Sequence, residues 1–177
     1  RVDFPVGGSV FSRYKYNHPM VAKILCVSDA IKEVMKPAIT NQNLLETVYS
    51  GINMNKFHGV EASNYLREKF EVPVGYKLIG NVSAIAPHKD YFTFVDTAEA
   101  LLRKGEKHKF FIIGDGPERE TIQQYVKDKN LEADIYFTGF LKDVLPVLKS
   151  LDLMLVTSKT EGLGTTILDA FACGVPI

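Results

Sequence analysis

Cysteine is scarce in this sequence, with Cys26 and Cys173 the only two among 177 residues. They lie far apart and form no CxxC pair, which is typical of buried thiols in a reducing compartment rather than of a disulfide framework. The four histidines also lack the spacing of metal ligands. The sequence therefore predicts neither a disulfide nor a metal site, and the resting protein is expected to need no metal cofactor.

The sequence also lacks an excess of charge and any long apolar run. Its 21 Lys and Arg residues balance 21 Asp and Glu residues, which argues against nucleic acid or an acidic membrane surface as the main partner. No apolar stretch approaches the roughly 18 residues of a membrane-spanning helix, and no signal-peptide pattern opens the chain. We therefore expect a cytoplasmic location and no nucleic-acid partner.

From about residue 76, short apolar runs alternate with amphipathic segments. The predicted strands are Lys77–Val82, Lys109–Ile113, Ile135–Thr138, Leu151–Val156 and Val175–Ile177. Helices are predicted from Asp90 to Gly105, from Pro117 onward, over Asp143–Lys149 and over Thr165–Cys173. Apolar runs without polar alternation are typical of strands covered on both faces. The pattern predicts an α/β fold, a Rossmann-like parallel sheet with helices on both faces.

The first part of the chain has a different pattern. Strands are predicted over Val21–Val27 and Leu44–Tyr49, with a helix over Asp29–Lys36 between them. The opening segment, Arg1–Tyr16, shows no clear period. A turn at residues 50–53 and a polar stretch after it indicate a domain boundary, so residues 1–58 are assigned to one domain and its linker, and residues 59–177 to a second domain.

The segment from Glu161 to Pro176 carries two acids in a setting suited to a ligand. Glu161 lies in a glycine-containing loop after a buried strand, and Asp169 lies in the helix that follows. In a parallel sheet this loop faces the ligand crevice, and the start of the helix offers free N–H groups to an anion. Carboxylates beside an anion site would address hydroxyl groups. Taken alone, the pattern fits ligand binding no better than a structural alternative. In that alternative Glu161 is a solvated loop acid and Asp169 is an acid on the helix surface.

Three further strand–loop junctions are candidates for ligand contacts. Lys89 precedes a predicted helix start, where a cation and backbone N–H groups together suit phosphates, although a solvated lysine fits the position as well. The Gly114-Asp115-Gly116 turn is ordinary strand-to-helix chemistry. The Thr138-Gly139-Phe140 segment either presents backbone groups to a nucleobase or is a plain turn.

Together these segments resemble the retaining glycosyltransferases of family 4, which have two Rossmann-like domains in the GT-B fold. The resemblance covers nearly the whole chain. It rests on Val27-Ser28-Asp29-Ala30, Tyr49-Ser50-Gly51-Ile52-Asn53, Gly114-Asp115-Gly116-Pro117-Glu118, Thr138-Gly139-Phe140 and, most specifically, the acid pair of Glu161–Pro176. The resemblance implies that the chain is the carboxyl-terminal half of such an enzyme, truncated at both ends.

The resemblance also implies roles for individual residues. Glu161 would contact the donor sugar as the catalytic-site acid, Asp169 would bind the ribose, and Lys89 would bind the donor diphosphate. The remaining donor-binding positions implied are Gly162, Leu163, Gly164, Thr165, Gly139 and Phe140. Two positions depart from the family pattern. Asp169 stands where glutamate is usual, and Ala84 stands where the family has a second phosphate-binding arginine.

The activity implied is transfer of a sugar from a nucleotide-diphosphate sugar to an acceptor hydroxyl with retained configuration. The implied partners are the nucleotide-sugar donor and a saccharide or lipid-linked acceptor, with peripheral association of the full-length enzyme at the inner face of the membrane. Two alternatives stay open from the sequence. One is a sugar-nucleotide epimerase of the same fold, and the other is a nucleotide-sugar-binding module that has lost catalysis, as Ala84 and Asp169 would allow.

Overall fold

The computed structural model describes residues 10–57 and 62–177, which form two compact units. The first unit comprises the described part of Arg1–Gly51 together with Thr160–Thr165. The second comprises the described part of Ile52–Lys159 together with Thr166–Ile177. The boundary predicted between residues 58 and 59 and the first half of the opening segment lie outside the described residues.

The first unit is built around two short parallel strands, β1 (Ile24–Cys26) and β2 (Leu45–Thr47). The helix α2 (Asp29–Met35) connects them, and the Ser28 side chain caps it by accepting a hydrogen bond from the Ile31 N–H at 3.3 Å. Helix α1 (Val10–Tyr16) was not predicted, since its residues show no helical period and none is buried. Both strands are shorter than predicted, since the pairing between them is confined to three residue pairs, Ile24 with Leu45, Leu25 with Glu46 and Cys26 with Thr47.

The second unit contains a four-stranded parallel sheet. Its strands are β3 (Lys77–Val82), β4 (His108–Ile113), β5 (Ile135–Gly139) and β6 (Leu153–Met154). They lie in the order β5-β4-β3-β6. Because every neighbouring pair is parallel, the strands share one carboxyl edge, which is where such sheets hold ligands.

Helices cover both faces of this sheet, as predicted. They are α3 (Tyr65–Lys69), α4 (Tyr91–Arg103), α5 (Arg119–Asp128), α6 (Leu145–Leu148) and α7 (Thr165–Ala172). Helices α4 and α5 share one core cluster with Phe110 and Ile112, while α3, α6 and α7 share the other with Phe111 and Ile113. All four of these β4 residues are at most 1% exposed. Consecutive residues of a strand face opposite sides, so a strand covered twice is apolar throughout, and the unbroken run in the sequence follows from this.

Three element predictions are wrong in their extent. Residues 175–177 form no strand, although the Pro176 carbonyl accepts a hydrogen bond from the Met154 N–H at 2.8 Å. Strand β6 has two residues instead of six, since its pairing with β3 is confined to Leu153 and Met154. Helix α5 begins at Arg119 rather than Pro117, because the Glu118 N–H donates to the Ile85 carbonyl at 3.1 Å and so belongs to the preceding turn.

Candidate functional site

A cavity of about 240 Å³ lies at the carboxyl edge of the sheet in the second unit. Its lining comes from the ends of β3, β4 and β5 and from the first turn of α7. Among the lining residues are Ser83, Ala84, Gly114, Asp115, Phe140 and Thr166. We call this space the strand-end cavity. Four segments that were identified separately in the sequence therefore meet at one place.

The loops after β3 and β4 meet in close backbone contact. A Cβ atom on Gly114, whose φ is +141°, would lie 2.1 Å from the Ser83 carbonyl oxygen, and one on Gly116 would lie 2.4 Å from the Ile85 carbonyl oxygen. The Ile85 N–H donates to the Asp115 carbonyl at 3.0 Å. Both glycines are therefore required by contact, because backbone atoms occupy the space that any side chain would need.

We expect Gly116→Ala to lower the free energy of unfolding by about 1–3 kcal/mol, the usual cost of overpacking a closely packed site. The new methyl group would overlap the Ile85 backbone, which is held by its own hydrogen bonds and cannot give way as a flexible side chain would. Urea unfolding of the purified chain measures the change. Gly51→Ala is the matched control, since a Cβ at Gly51 meets no atom within 4 Å. Equal stability of the two variants would contradict the packing argument.

Lys89 lies at the end of a 3₁₀ turn, Pro87–Lys89, directly before α4. Two contacts hold the backbone of this turn against the segment that follows β6. The Thr157 hydroxyl donates to the Lys89 carbonyl at 3.0 Å, and the Lys159 N–H donates to the His88 carbonyl at 2.8 Å. Two hydrogen bonds from this one segment thus fix the backbone that carries Lys89. Ala84 lies on the same loop as Lys89.

Asp90 makes the junction between this turn and α4. It adopts the left-handed conformation, with φ 49°, and its side chain caps the helix by accepting from the Thr93 N–H at 3.4 Å. Short polar residues tolerate this conformation better than others. Burial by itself would raise the pKa of the Asp90 carboxyl, but hydrogen bonds from Thr93 and Lys159 outweigh it and hold that pKa below its usual value. Asp90 therefore stays ionised as a cap, as the sequence predicted.

Asp169 lines a second cavity, of about 430 Å³, which we call the Asp169 cavity. The other polar residues of its lining are Lys56, Lys142 and Asp143. Val144 lines both this cavity and the strand-end cavity, so the two spaces adjoin. Asp169 is half-buried beside an open space, a setting in which its carboxylate can meet a ligand.

The environment of Asp169 raises its pKa. Partial burial is the larger cause, because it disfavours the charged form, and the positive charge of Lys56 opposes the rise in the pKa. Perturbed acids in clefts are candidates for function. The sequence analysis named Asp169 as a candidate ligand-binding residue. It did not name Lys56 or Lys142, because lysines in polar stretches are usually solvated.

Glu161 belongs to the loop of the first unit, Thr160–Thr165. Its side chain is exposed. The Ser28 hydroxyl donates to the Gly162 carbonyl at 2.9 Å while it also caps α2. Gly164 has φ +63°, which explains the glycine there. Sequence reasoning singled out Ser28 only as part of a motif and missed its contact with this loop.

The segment after β5 is split between two environments. Phe140 is 78% exposed at the rim of the strand-end cavity, so its ring is available to a ligand. Gly139 has φ +71°, and its carbonyl accepts from the Gly114 N–H at 3.2 Å. Gly139 therefore joins the ends of β4 and β5, which is a structural reason for the glycine.

Over residues 10–57 and 62–177, no group of three or more His, Cys, Asp or Glu side chains is arranged to hold a metal ion. In the same part of the chain, no helix is both long and apolar enough to cross a membrane.

Comparison with known proteins identifies a family. Residues 63–177 match the family model described as glycosyl transferases group 1. A 2-deoxystreptamine N-acetyl-D-glucosaminyltransferase of Streptomyces fradiae is 36% identical over 121 residues, which cover 66% of this chain and 28% of the relative. An N-acetyl-alpha-D-glucosaminyl L-malate synthase of Bacillus anthracis is 30% identical over 144 residues, 81% of this chain and 36% of the relative. The chain spans about a third of the length of the curated relatives that it matches.

A solved structure shares the fold. Anabaena HepE in complex with UDP and glucose superposes with a TM-score of 0.82 at 22% identity, over 99% of this chain and 50% of that one. At this identity the likeness concerns the fold. It confirms the parallel α/β architecture predicted from the apolar runs.

Proposed function

This chain belongs to the glycosyl transferases group 1 family, and we propose that it contributes the donor-binding part of an enzyme that transfers a sugar from a nucleoside diphosphate sugar to an acceptor hydroxyl. The observation that carries the proposal is the pair of adjoining cavities at the carboxyl edge of the sheet. Parallel α/β sheets bind nucleotides at this edge.

The strand-end cavity suits the donor phosphates and the base. Thr166 lies in the first turn of α7, where backbone N–H groups lack helical partners and favour an anion. The exposed ring of Phe140 at the rim offers a surface for a base. Gly139 and Phe140 are thus proposed donor-binding residues, Gly139 through the backbone it shapes.

The Asp169 cavity suits the ribose. A carboxylate in a half-buried cleft accepts hydrogen bonds from neighbouring hydroxyl groups, and such bonds are among the stronger ones in proteins. Aspartate is one methylene shorter than the glutamate of the family pattern. The lysines Lys56 and Lys142 of the same cavity supply positive charge that would keep an anionic donor close.

Lys89 is the proposed partner of the diphosphate. The turn that carries it is fixed through Thr157 and Lys159, so its backbone is ordered before the donor binds. A preorganised cation stabilises the charge that develops on a departing diphosphate. We propose that transfer proceeds without a metal ion, and full activity in the presence of EDTA is the expected result.

The loop Glu161–Thr165 is the proposed partner of the sugar ring. Glu161 would bind sugar hydroxyls, and Gly162, Leu163, Gly164 and Thr165 are the other donor-binding residues proposed in this loop. Retention of the anomeric configuration is part of the same proposal. NMR of the first-formed product measures it, and a product of inverted configuration would refute it.

The acceptor is proposed to be a saccharide or a lipid-linked saccharide, handled on the cytoplasmic side with peripheral attachment of the complete enzyme to the membrane. The relatives offer a starting point, since the name of the Streptomyces fradiae protein gives 2-deoxystreptamine as the acceptor and N-acetyl-D-glucosamine as the group transferred. Centrifugation of the complete enzyme with liposomes measures the attachment.

Calorimetry with UDP, GDP and ADP and their sugar conjugates tests donor binding by this chain. We expect one base to bind well above the others, and transfer by the complete enzyme from the matching donor. Binding of none of these nucleotides would refute the donor site. Binding without transfer or hydrolysis would favour a module that has lost catalysis, and interconversion of two donors would favour an epimerase.

Donor binding is expected to weaken as pH falls, through the titration of Asp169. The ionised carboxylate accepts hydrogen bonds from ribose, so protonation removes an acceptor. Because burial raises the pKa of Asp169, the loss should begin above the 3.8 of an ordinary aspartate. For stability the sign is opposite, since an acid with a raised folded-state pKa contributes stability that is lost as pH rises through that pKa.

Calorimetry of UDP binding at a series of pH values, from neutral pH down toward the 3.8 of an ordinary aspartate, measures this loss of affinity. Asp169→Asn is the matched control. The amide side chain of this variant does not titrate, so its binding should be weaker and flat with pH. An identical pH profile in both proteins would show that another group titrates.

A further inference from the structure

We propose that a buried chain of hydroxyl and amide groups, formed by Tyr91, Ser83 and Asn81, positions the loop that carries Lys89 for phosphate binding. The proposal rests on the proposed donor-binding function, and it assigns a role to three residues that the sequence did not single out for chemistry. Tyr91 and Asn81 are positioning residues, since they would act through Lys89 and not by touching the donor, and Ser83 joins them at the lining of the strand-end cavity.

The three side chains form a directed chain of hydrogen bonds. The Ser83 hydroxyl donates to Asn81 Oδ1 at 3.1 Å, which uses its only hydrogen. The Tyr91 hydroxyl lies 2.9 Å from Ser83 Oγ, a pair in which either oxygen can donate, and it also reaches the Ser83 carbonyl oxygen at 3.4 Å. When Ser83 donates to Asn81, Tyr91 is the donor to Ser83.

The chain closes the base of the Lys89 loop. Ser83 directly follows β3, and Tyr91 is the first residue of α4, so the Ser83–Tyr91 pair joins the two ends of the segment that contains Ala84 and Lys89. Thr157 and Lys159 hold the far side of this segment through the carbonyl groups of Lys89 and His88. The loop is therefore restrained at its base and at its tip.

The anchor of the loop is rigid. The Tyr91 side chain is fully buried, and its ring packs edge-on against Phe94, with the ring centroids 5.9 Å apart. Burial raises the pKa of Tyr91 to about 12, so its hydroxyl remains a donor at physiological pH. A fixed ring with a fixed donor holds the first residue of α4, and with it the end of the loop, in one place.

The polar character of Asn81 argues against a purely structural role. It is 2% exposed within β3, pairs with Ile112 in the sheet, and its Nδ2 has no hydrogen-bond partner among residues 10–57 and 62–177. Burying an unsatisfied amide costs stability, and an apolar residue at this position would avoid that cost. An acceptor for Ser83 is what the asparagine supplies in return.

Ordering the loop before binding favours the donor. A lysine side chain is flexible, and a ligand that had to order both the side chain and its backbone would bind more weakly. Fixing the backbone in advance removes that part of the ordering cost when phosphate binds. Breaking the hydrogen-bonded chain of Tyr91, Ser83 and Asn81 would therefore lower the affinity for the donor as well as the stability of the fold.

The test is Tyr91→Phe, which keeps the buried ring and removes only the hydroxyl. Tyr136→Phe is the matched control, because its hydroxyl donates to the Ala133 carbonyl at 3.0 Å, near the amino end of β5. Calorimetry with the preferred nucleoside diphosphate is expected to show a fall of about 3–10-fold in affinity for Tyr91→Phe, the usual effect of one neutral hydrogen bond. Tyr136→Phe should bind as the wild type does.

A double-mutant cycle separates positioning from general loosening. In a Lys89→Ala background, Tyr91→Phe should cause no further loss of affinity, because the two residues act as one unit. A loss of the same size in that background would overturn the proposal. So would a Tyr91→Phe protein that binds the nucleotide as tightly as the Tyr136→Phe protein does.

Amide hydrogen exchange keeps this test separate from that of the proposed function. The segment 84–90 should exchange faster in Tyr91→Phe and at the wild-type rate in Tyr136→Phe. If the wild-type chain binds none of the nucleotides, the donor-binding function fails, and exchange alone decides whether the hydroxyl chain holds the loop. Unchanged exchange in Tyr91→Phe would overturn the positioning role whether or not a nucleotide binds.

Discussion

Replacing Lys89 with alanine is expected to weaken binding of the donor nucleotide by about 10–100-fold. The range corresponds to the roughly 1.5–3 kcal/mol of a hydrogen bond to a charged group. The effect should lie toward the upper end, because Ala84 stands where the family pattern has a second cation and the strand-end cavity is lined by one acid, Asp115. Calorimetry with the nucleoside diphosphate measures it.

The loss should depend on the phosphates. The affinity for the nucleoside without phosphates should be unchanged in Lys89→Ala, since the lysine would contact only the diphosphate. Lys104→Ala is the matched control, an exposed lysine at the carboxyl end of α4, and it should leave both affinities as they are. If the Lys89→Ala protein binds the diphosphate normally, the proposed phosphate contact is wrong and Lys89 is a solvated lysine.

Replacing Glu161 with glutamine is expected to lower the turnover of the complete enzyme by about 10–100-fold, with a smaller effect on donor binding. The carboxylate is proposed to contact the sugar that is transferred, where interactions strengthen as positive charge develops on the ring. Losing a charged hydrogen-bond partner costs about 1.5–3 kcal/mol, and a loss confined to the transition state appears in kcat. Steady-state rates with donor at saturation measure it.

Asp169→Ala should show the opposite pattern. The ribose is remote from the bond that breaks, so its contact contributes equally in the ground state and the transition state, and its loss should raise the donor KM with little change in kcat. Glu132→Gln, at an exposed position between α5 and β5, controls for the change of charge and should alter neither constant. A lower kcat in Asp169→Ala together with normal turnover in Glu161→Gln would contradict this assignment. It would instead place Asp169 at the transferred sugar and Glu161 at the ribose.

The alternation of strands and helices was predictable because burial on both faces leaves a direct trace in the sequence. In β4, the residues Phe110–Ile113 face helices on either side and are all apolar, so a strand could be predicted over Lys109–Ile113 without knowledge of the fold. The caps and turns were local as well. Asp90 could be identified as the start of α4, and Gly105, with φ +79°, as its end.

Elements that depend on neighbours were predicted less well. Strand β6 is short because only two of its residues, Leu153 and Met154, pair with β3. Nothing in the run Leu151–Val156 reveals that limit. The start of α5 is set by a hydrogen bond from Glu118 to Ile85, a contact between loops. Helix α1 lacks a buried face, so it carries none of the periodicity from which helices are recognised.

The sequence by itself determined the fold class, the likeness to glycosyltransferases and the short segments in which function is sought, because each of these depends on residues close together in the chain. Only the tertiary structure decided which segments meet. It brought Ala84, Phe140 and Thr166 to one cavity, placed Asp169 beside Lys56, and set Tyr91 against Ser83. These contacts join residues that are distant in the chain or hidden among core positions, and their geometry depends on the packing of the whole sheet with its helices.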